Sequence, residues 1–159
     1  MTTVNVTKTT TATAAQFLSG LTDFGPKRGE IFGNSDGSKV IVHDRGDGWA
    51  DITEGSAGGI WERLRYDWSN PAVISLRTTD SNLWANTSSW TYSLKPGSLG
   101  GTDVNLVAVR NGKGFKGVLV GILFAAGGKS LISGSLEKSL RAIEARVTQA
   151  RGTHTTGEG

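Results

Sequence analysis

Between Lys39 and Asn111 the chain falls into six short β-forming segments separated by turn residues, and this run constrains the fold more than any other feature. Lys39–Arg45 and Trp49–Ser56 are joined by Gly46-Asp47-Gly48, a hairpin signal. Ala57-Gly58-Gly59 leads into Ile60–Ser69, and Asn70-Pro71 into Ala72–Asp80. Asp80-Ser81-Asn82 precedes Thr87–Leu94, and Pro96-Gly97-Ser98 precedes Thr102–Asn111. Connections this short join antiparallel neighbours, because a parallel pair needs a crossover of about a dozen residues or more. The spacing predicts a six-stranded antiparallel meander.

The period changes on either side. Residues 3–10 suit a further strand, with Val4 and Val6 on one face. Thr13 and Gln16 have the spacing of a capping box, and Phe17, Leu18, Leu21 and Phe24 continue at helical spacing until Gly25-Pro26. A short second helix or turn, Lys27 to Phe32, closes at Gly33. At the far end Phe115, Leu119, Ile122 and Ala126 form one apolar stripe. Ile132, Leu136, Leu140, Ile143 and Val147 form a second, with Gly127-Gly128 between them as an expected kink or break. Residues 1–150 fit one domain, and the polar segment 151–159 is expected to be a disordered tail.

Side-chain parity assigns the sheet faces. In the third segment Arg63, Arg65 and Asp67 share one side, whereas Ile60, Glu62, Leu64, Tyr66 and Trp68 share the other. Glu62 is therefore an acid on an apolar face. Ile74 and Leu76 oppose Ser75 and Arg77, and Trp90, Tyr92 and Leu94 oppose Ser89, Thr91 and Ser93. One sheet face is thus rich in Trp, Tyr and Leu and must be covered, for which the C-terminal helix is available. Arg77 falls on the solvated side; the segment containing His43 is apolar on both parities, which leaves its direction open.

Composition removes several classes. There is no Cys, which excludes disulfide scaffolds and thiol catalysis, and two His leave no histidine-rich metal site. The 23 Gly among 159 residues show no three-residue period, so they supply turns rather than a collagen repeat. The net charge of +3 is scattered and does not track a phosphate backbone, which argues against nucleic-acid binding. The longest apolar stretch, Val118–Ala126, is about half a membrane span, so no span is expected, and no targeting segment is recognised. A cytoplasmic location follows as an expectation.

Three motif matches fail on context. Gly112-Lys113-Gly114-Phe115-Lys116-Gly117 has the dinucleotide-binding spacing, but no second parallel strand follows. Gly33-Asn34-Ser35-Asp36-Gly37 has the nucleophile-elbow spacing, yet runs helix to strand rather than strand to helix, and is better explained as a turn. Gly127-Gly128-Lys129-Ser130 lacks the first phosphate-loop glycine, since position 123 is Leu.

The order strand, two helices, six-stranded meander, long helix resembles the helix-grip fold of the SRPBCC superfamily, which includes START-like lipid carriers, birch-pollen-allergen relatives and bacterial polyketide cyclase/dehydrase proteins. The resemblance covers about residues 2–150 and is closest to the polyketide-cyclase-like members over Gly59–Trp68 and in the Gly-rich lead-in to the last helix. It implies an α+β fold, a curved antiparallel sheet of about seven strands wrapped around the long C-terminal helix. A cavity for a small apolar or aromatic molecule would lie between them, and no cofactor is implied. Its expected lining is Glu62, Leu64, Tyr66, Trp68, Ile74, Leu76, Trp90 and Tyr92 from the sheet, with Phe115, Leu119 and Ile122 from the helix. Glycines 114, 117 and 121 would leave it room.

Three functions remain open. A carrier for a hydrophobic metabolite would use apolar burial and a few polar anchors, Glu62, Tyr66 and Tyr92, with Arg77 or His43 as further candidates. An aromatase/cyclase-type enzyme would need an acid and a base, for which Glu62 and Tyr92 are the candidates. For Glu62 the plain alternative is an ion pair with an arginine at the cavity rim. A protein–protein regulator would need a long exposed apolar patch outside the cavity, against which the Arg-rich outer strand face speaks.

Overall fold

Seven strands form one antiparallel sheet: β1 (Thr2–Thr10), β2 (Ile41–Gly46), β3 (Trp49–Gly55), β4 (Trp61–Asp67), β5 (Val73–Ser81), β6 (Ser89–Pro96) and β7 (Thr102–Arg110). Their order in the sheet is β1-β7-β6-β5-β4-β3-β2, so the last six are a meander and β1 returns beside β7. This is a computed structural model, and it describes residues 1–155 other than Asn34, Ala57 and Leu99. The expected turns at Ala57-Gly58-Gly59 and Asn34-Ser35-Asp36 each include a position outside the described residues.

The helices are α1 (Ala14–Leu21), α2 (Arg28–Ile31) and α3 (Gly114–Thr155). Helix α1 opens on the anticipated capping box: Gln16 N–H donates to Thr13 Oγ1 at 3.2 Å, and Thr13 N–H donates to Gln16 Oε1 at 2.9 Å. The segment expected to begin a strand at Lys39 instead makes a 3-10 turn, Gly37–Lys39, capped by Asp36, and β2 starts at Ile41. His43 lies on this exposed edge strand, hydrogen-bonded to Thr53 Oγ1 at 2.7 Å.

The inner face of the sheet buries Ala50, Ile52, Leu64, Tyr66, Ile74, Leu76, Tyr92, Leu94, Val104, Leu106 and Ala108, the alternation the strands predict. It packs on Phe17 and Leu21 of α1 and on Ile132, Leu136, Leu140 and Ile143 of α3. A register shift between β4 and β5 leaves Thr79 without a pairing partner. Beyond it the inward positions change from Thr78 to Ser81.

Helix α3 departs from expectation in two respects. It is one continuous helix of 42 residues, unbroken at Gly127-Gly128. Glycine weakens a helix but keeps its N–H, so the i→i−4 ladder continues where a proline would end it. It also runs on to Thr155, so residues 151–155 of the expected tail are helical, and 156–159 lie outside the described residues. By length and composition α3 could cross a membrane, which Val118–Ala126 alone did not suggest. Its second half is instead seated in the core of the sheet.

Candidate functional site

A cavity of about 630 Å³ lies between the inner sheet face and α3. It occupies one end of the sheet, where the strands end in polar residues; the other end, around Ile74, Leu94 and Val104, is filled core. Two acids face it from adjacent strands. Glu54 of β3 and Glu62 of β4 are register partners on the inner face, following Ala50↔Tyr66 and Ile52↔Leu64. Side chains directly opposite in this way have Cβ atoms about 5 Å apart.

Each acid is matched by a buried arginine. Arg110 ends β7 on the parity of Val104, Leu106 and Ala108, so its guanidinium points inward. It grips Glu62 through both ends, Nη1 to Oε1 at 3.0 Å and Nη2 to Oε2 at 2.9 Å. The Thr78 hydroxyl also donates to Glu62 Oε1. Trp84 and Trp90 flank the same guanidinium, with ring centroids 4.3 and 4.7 Å away. Among the described residues, Arg110 Nε has no hydrogen-bond partner although it is buried.

Arg28, in the first turn of α2, is only 2% exposed. Its Nε donates to Glu54 and its Nη2 to the Tyr66 hydroxyl at 2.9 Å. Its Nη1 donates to the carbonyls of Leu21 and Asp23, both at 2.9 Å, which closes the end of α1. Phe24 and Phe32 lie against the guanidinium at 4.9 and 4.8 Å. Burial opposes the charge on Arg28, but Tyr66 and Glu54 outweigh it and hold the group more firmly protonated than usual. Burial, reinforced by Glu54, pushes the Tyr66 hydroxyl well above its ordinary pKa, and burial likewise raises Tyr92. Both phenols are therefore hydrogen-bond donors at any physiological pH.

Of the residues expected at the cavity, Glu62, Leu64, Tyr66, Leu76, Trp90 and Tyr92 line it. Ile74 and Trp68 do not: Ile74 is fully buried in the filled end of the core, and Trp68 lies just beyond the end of β4, packed against that core. Phe115, Leu119 and Ile122 do not either, being 81%, 47% and 63% exposed. The cause is a close approach. A Cβ on Gly117 would lie 2.5 Å from the Leu83 carbonyl oxygen and one on Gly112 2.0 Å from that of Gly117, so the first turn of the helix is pressed through Gly117 against the chain at Leu83. That turns Val120 and Phe124 toward the cavity and the Phe115 stripe outward. The same contact accounts for Gly112 and Gly117 of the Gly112–Gly117 motif, and a left-handed φ of 66° accounts for Gly114, while Gly127–Ser130 lies within continuous helix.

Sequence reasoning missed Glu54, Arg28, Arg110 and Trp84. Parity carried a signal for two of them: Glu54 follows Ala50 and Ile52, and Arg110 follows Leu106 and Ala108. Arg28 had none, since a four-residue helix has too little periodicity to assign a face. Arg77 is solvated as expected.

No family model matches the chain, and no curated protein matches it. Solved structures do. The Zhui aromatase/cyclase from Streptomyces sp. R1128 superposes with a TM-score of 0.73 at 20% identity, covering 92% of this chain and 95% of that one. A START superfamily protein from Mycobacterium smegmatis gives 0.68 at 18% identity, with 93% and 98% covered. The di-domain aromatase/cyclase BexL from the BE-7585A biosynthetic pathway gives 0.64 at 15% identity, with 91% of this chain on 47% of that one. At these identities the likeness concerns architecture, and the architecture is the helix-grip, START-like fold of SRPBCC proteins.

Proposed function

We propose that the protein binds a small, uncharged, largely apolar or aromatic molecule in the cavity beneath α3. The observation that carries this reading is the internal matching of charge. The apolar walls of Leu64, Leu76, Leu106 and Phe124 enclose two guanidiniums, each already paired with its own carboxylate. A ligand bearing a full charge would have to compete with one of these pairs. A ligand with carbonyl or hydroxyl groups could use the Tyr92 phenol and the guanidinium edges without breaking them, the Tyr66 hydroxyl already donating to Glu54. The volume fits the usual range for small-molecule sites, about 300–1,000 Å³.

Native mass spectrometry of freshly purified protein, followed by organic extraction, tests this directly. The expected result is a stoichiometric apolar adduct. After stripping, one-site saturable binding of the neutral probe N-phenyl-1-naphthylamine is expected. Leu131→Trp, at the exposed rim of the cavity, should weaken it without unfolding the protein. A clean mass with no saturable probe binding overturns the proposal.

A second reading, an aromatase/cyclase-type enzyme, is favoured by the two protonated phenols beside the paired carboxylates. Both Glu62 oxygens are committed to Arg110, and one also to Thr78, so of the two candidates Tyr92 is better placed as an acid. Tyr92→Phe separates the readings: an enzyme loses turnover and keeps binding, whereas a carrier keeps binding and has no turnover to lose.

A further inference from the structure

The first half of α3 leaves an unpartnered apolar face. Phe115, Val118, Leu119, Ile122 and Leu123 are 81%, 54%, 47%, 63% and 71% exposed, and they recur every three or four residues. On a water-facing helix these positions are normally polar. Charge is restricted to lysines: Lys116 and Lys129 bracket the run, and Lys113 precedes it, 3.5 Å from Asp80. From residue 104 to residue 136 there is no Asp or Glu.

We propose that this face docks on an anionic lipid surface, with the helix lying in the plane of the interface. The combination of exposed large apolar side chains and flanking lysines without acids is that of an interfacial helix. Its apolar side would enter the headgroup–acyl boundary while the lysine stems reach out to lipid phosphates. The helix does not span, because Ile132, Leu136, Leu140 and Ile143 of the same rod are fixed in the core. A second copy fits the face less well. Antiparallel packing would bring Lys116 toward Lys129 of the other copy, and a parallel pair would set each lysine against itself, with no acid on this stretch to answer either. The proposal does not depend on what fills the cavity. One exposed residue of the cavity rim, Leu131, lies on the same helix, and exposed Ile60 and Trp61 belong to the rim's sheet side.

The test is co-sedimentation of the full chain with vesicles of phosphatidylcholine alone or with phosphatidylglycerol added. The protein should partition to the anionic vesicles and be released as salt is raised. Ile122→Glu with Leu123→Glu should lower partitioning by about tenfold or more. Lys116→Glu with Lys129→Glu should abolish the preference for phosphatidylglycerol. All four side chains face water, so these variants should fold, and circular dichroism checks that they do. Equal partitioning to both vesicle types, or partitioning unchanged in both variants, overturns the proposal. So does a wild-type dimer, detected by light scattering, that Ile122→Glu with Leu123→Glu makes monomeric; that outcome assigns the face to a second copy.

Discussion

Glu54 and Glu62 stand directly opposite each other across β3 and β4, on the inner side of the sheet, and neither shares its guanidinium with the other. Like charges opposite one another in a sheet repel. The arrangement persists because Arg28 reaches one carboxylate from α2 and Arg110 reaches the other from the end of β7. The two acids thereby fasten a helix and a distant strand to the middle of the sheet.

Removing one member of the inner pair should cost far more than removing both. Glu62→Gln leaves the Arg110 charge buried without a counter-ion, and urea unfolding should report a loss of about 3 kcal/mol or more. Glu62→Leu combined with Arg110→Met replaces the pair by apolar volume and should recover most of that loss. Asp51→Asn, which breaks the more exposed pair with Arg63, should move the midpoint much less.

The two tyrosines should resist ionisation until the protein unfolds. Tyr66 and Tyr92, the only tyrosines in the chain, are both buried and have raised pKa values. The stability linked to them is fully present below about pH 10, the unfolded value, and is lost as pH rises toward the folded values. Absorbance at 295 nm during alkaline titration should therefore rise in one cooperative step, coincident with loss of near-UV circular dichroism. Gradual, independent ionisation of either residue near its ordinary pKa would contradict their burial.

Acid should loosen the tether between Asp23 and α3. The hydrogen bond from Arg146, 2.8 Å away, and that from the Gly25 N–H hold the Asp23 carboxyl below its usual range. Its contribution is present above about pH 4, the unfolded value, and is lost as pH falls through the lower folded value. Asp23→Asn should flatten this part of the stability–pH curve while leaving the alkaline limb unchanged, as followed by thermal unfolding between neutral and acid pH. The pair is partly exposed, so high salt should reduce the difference.

Two helical glycines should respond in opposite directions to alanine. A Cβ on Gly127 meets nothing within 4 Å, so Gly127→Ala should stabilise α3 by about 0.5–1 kcal/mol. A Cβ on Gly117 would lie 2.5 Å from the Leu83 carbonyl oxygen and 3.1 Å from Gly112 Cα, so Gly117→Ala should lower the melting temperature by several degrees. Thermal unfolding of the two variants beside the wild type checks both signs.

The fold was legible because its signals are local: turn residues between alternating segments, a capping box, and the core stripe of Ile132, Leu136, Leu140 and Ile143. The cavity's sheet wall was largely legible for the same reason, since parity alone turns Glu62, Leu64 and Tyr66 inward. The helix wall was not. Helical spacing identifies a stripe but not the direction it faces, and here the contact of Gly117 with Gly112 and with the Leu83 carbonyl sets the rotation. The arginines were hidden because a buried charge is paired by tertiary contact, and Glu62 with Arg110 spans 48 positions of sequence.

The continuity of α3 through Gly127-Gly128 has a mechanical consequence. At about 1.5 Å per residue, its 42 residues make a rod of about 63 Å with no joint. Val120 and Phe124 roof the cavity on one side of that rod, and Leu119 and Ile122 meet the surroundings on the other. A hinged lid could lift over the ligand while its base stayed still. Here the roof and the outer apolar face belong to one unbroken helix, so widening the cavity on this side displaces both together.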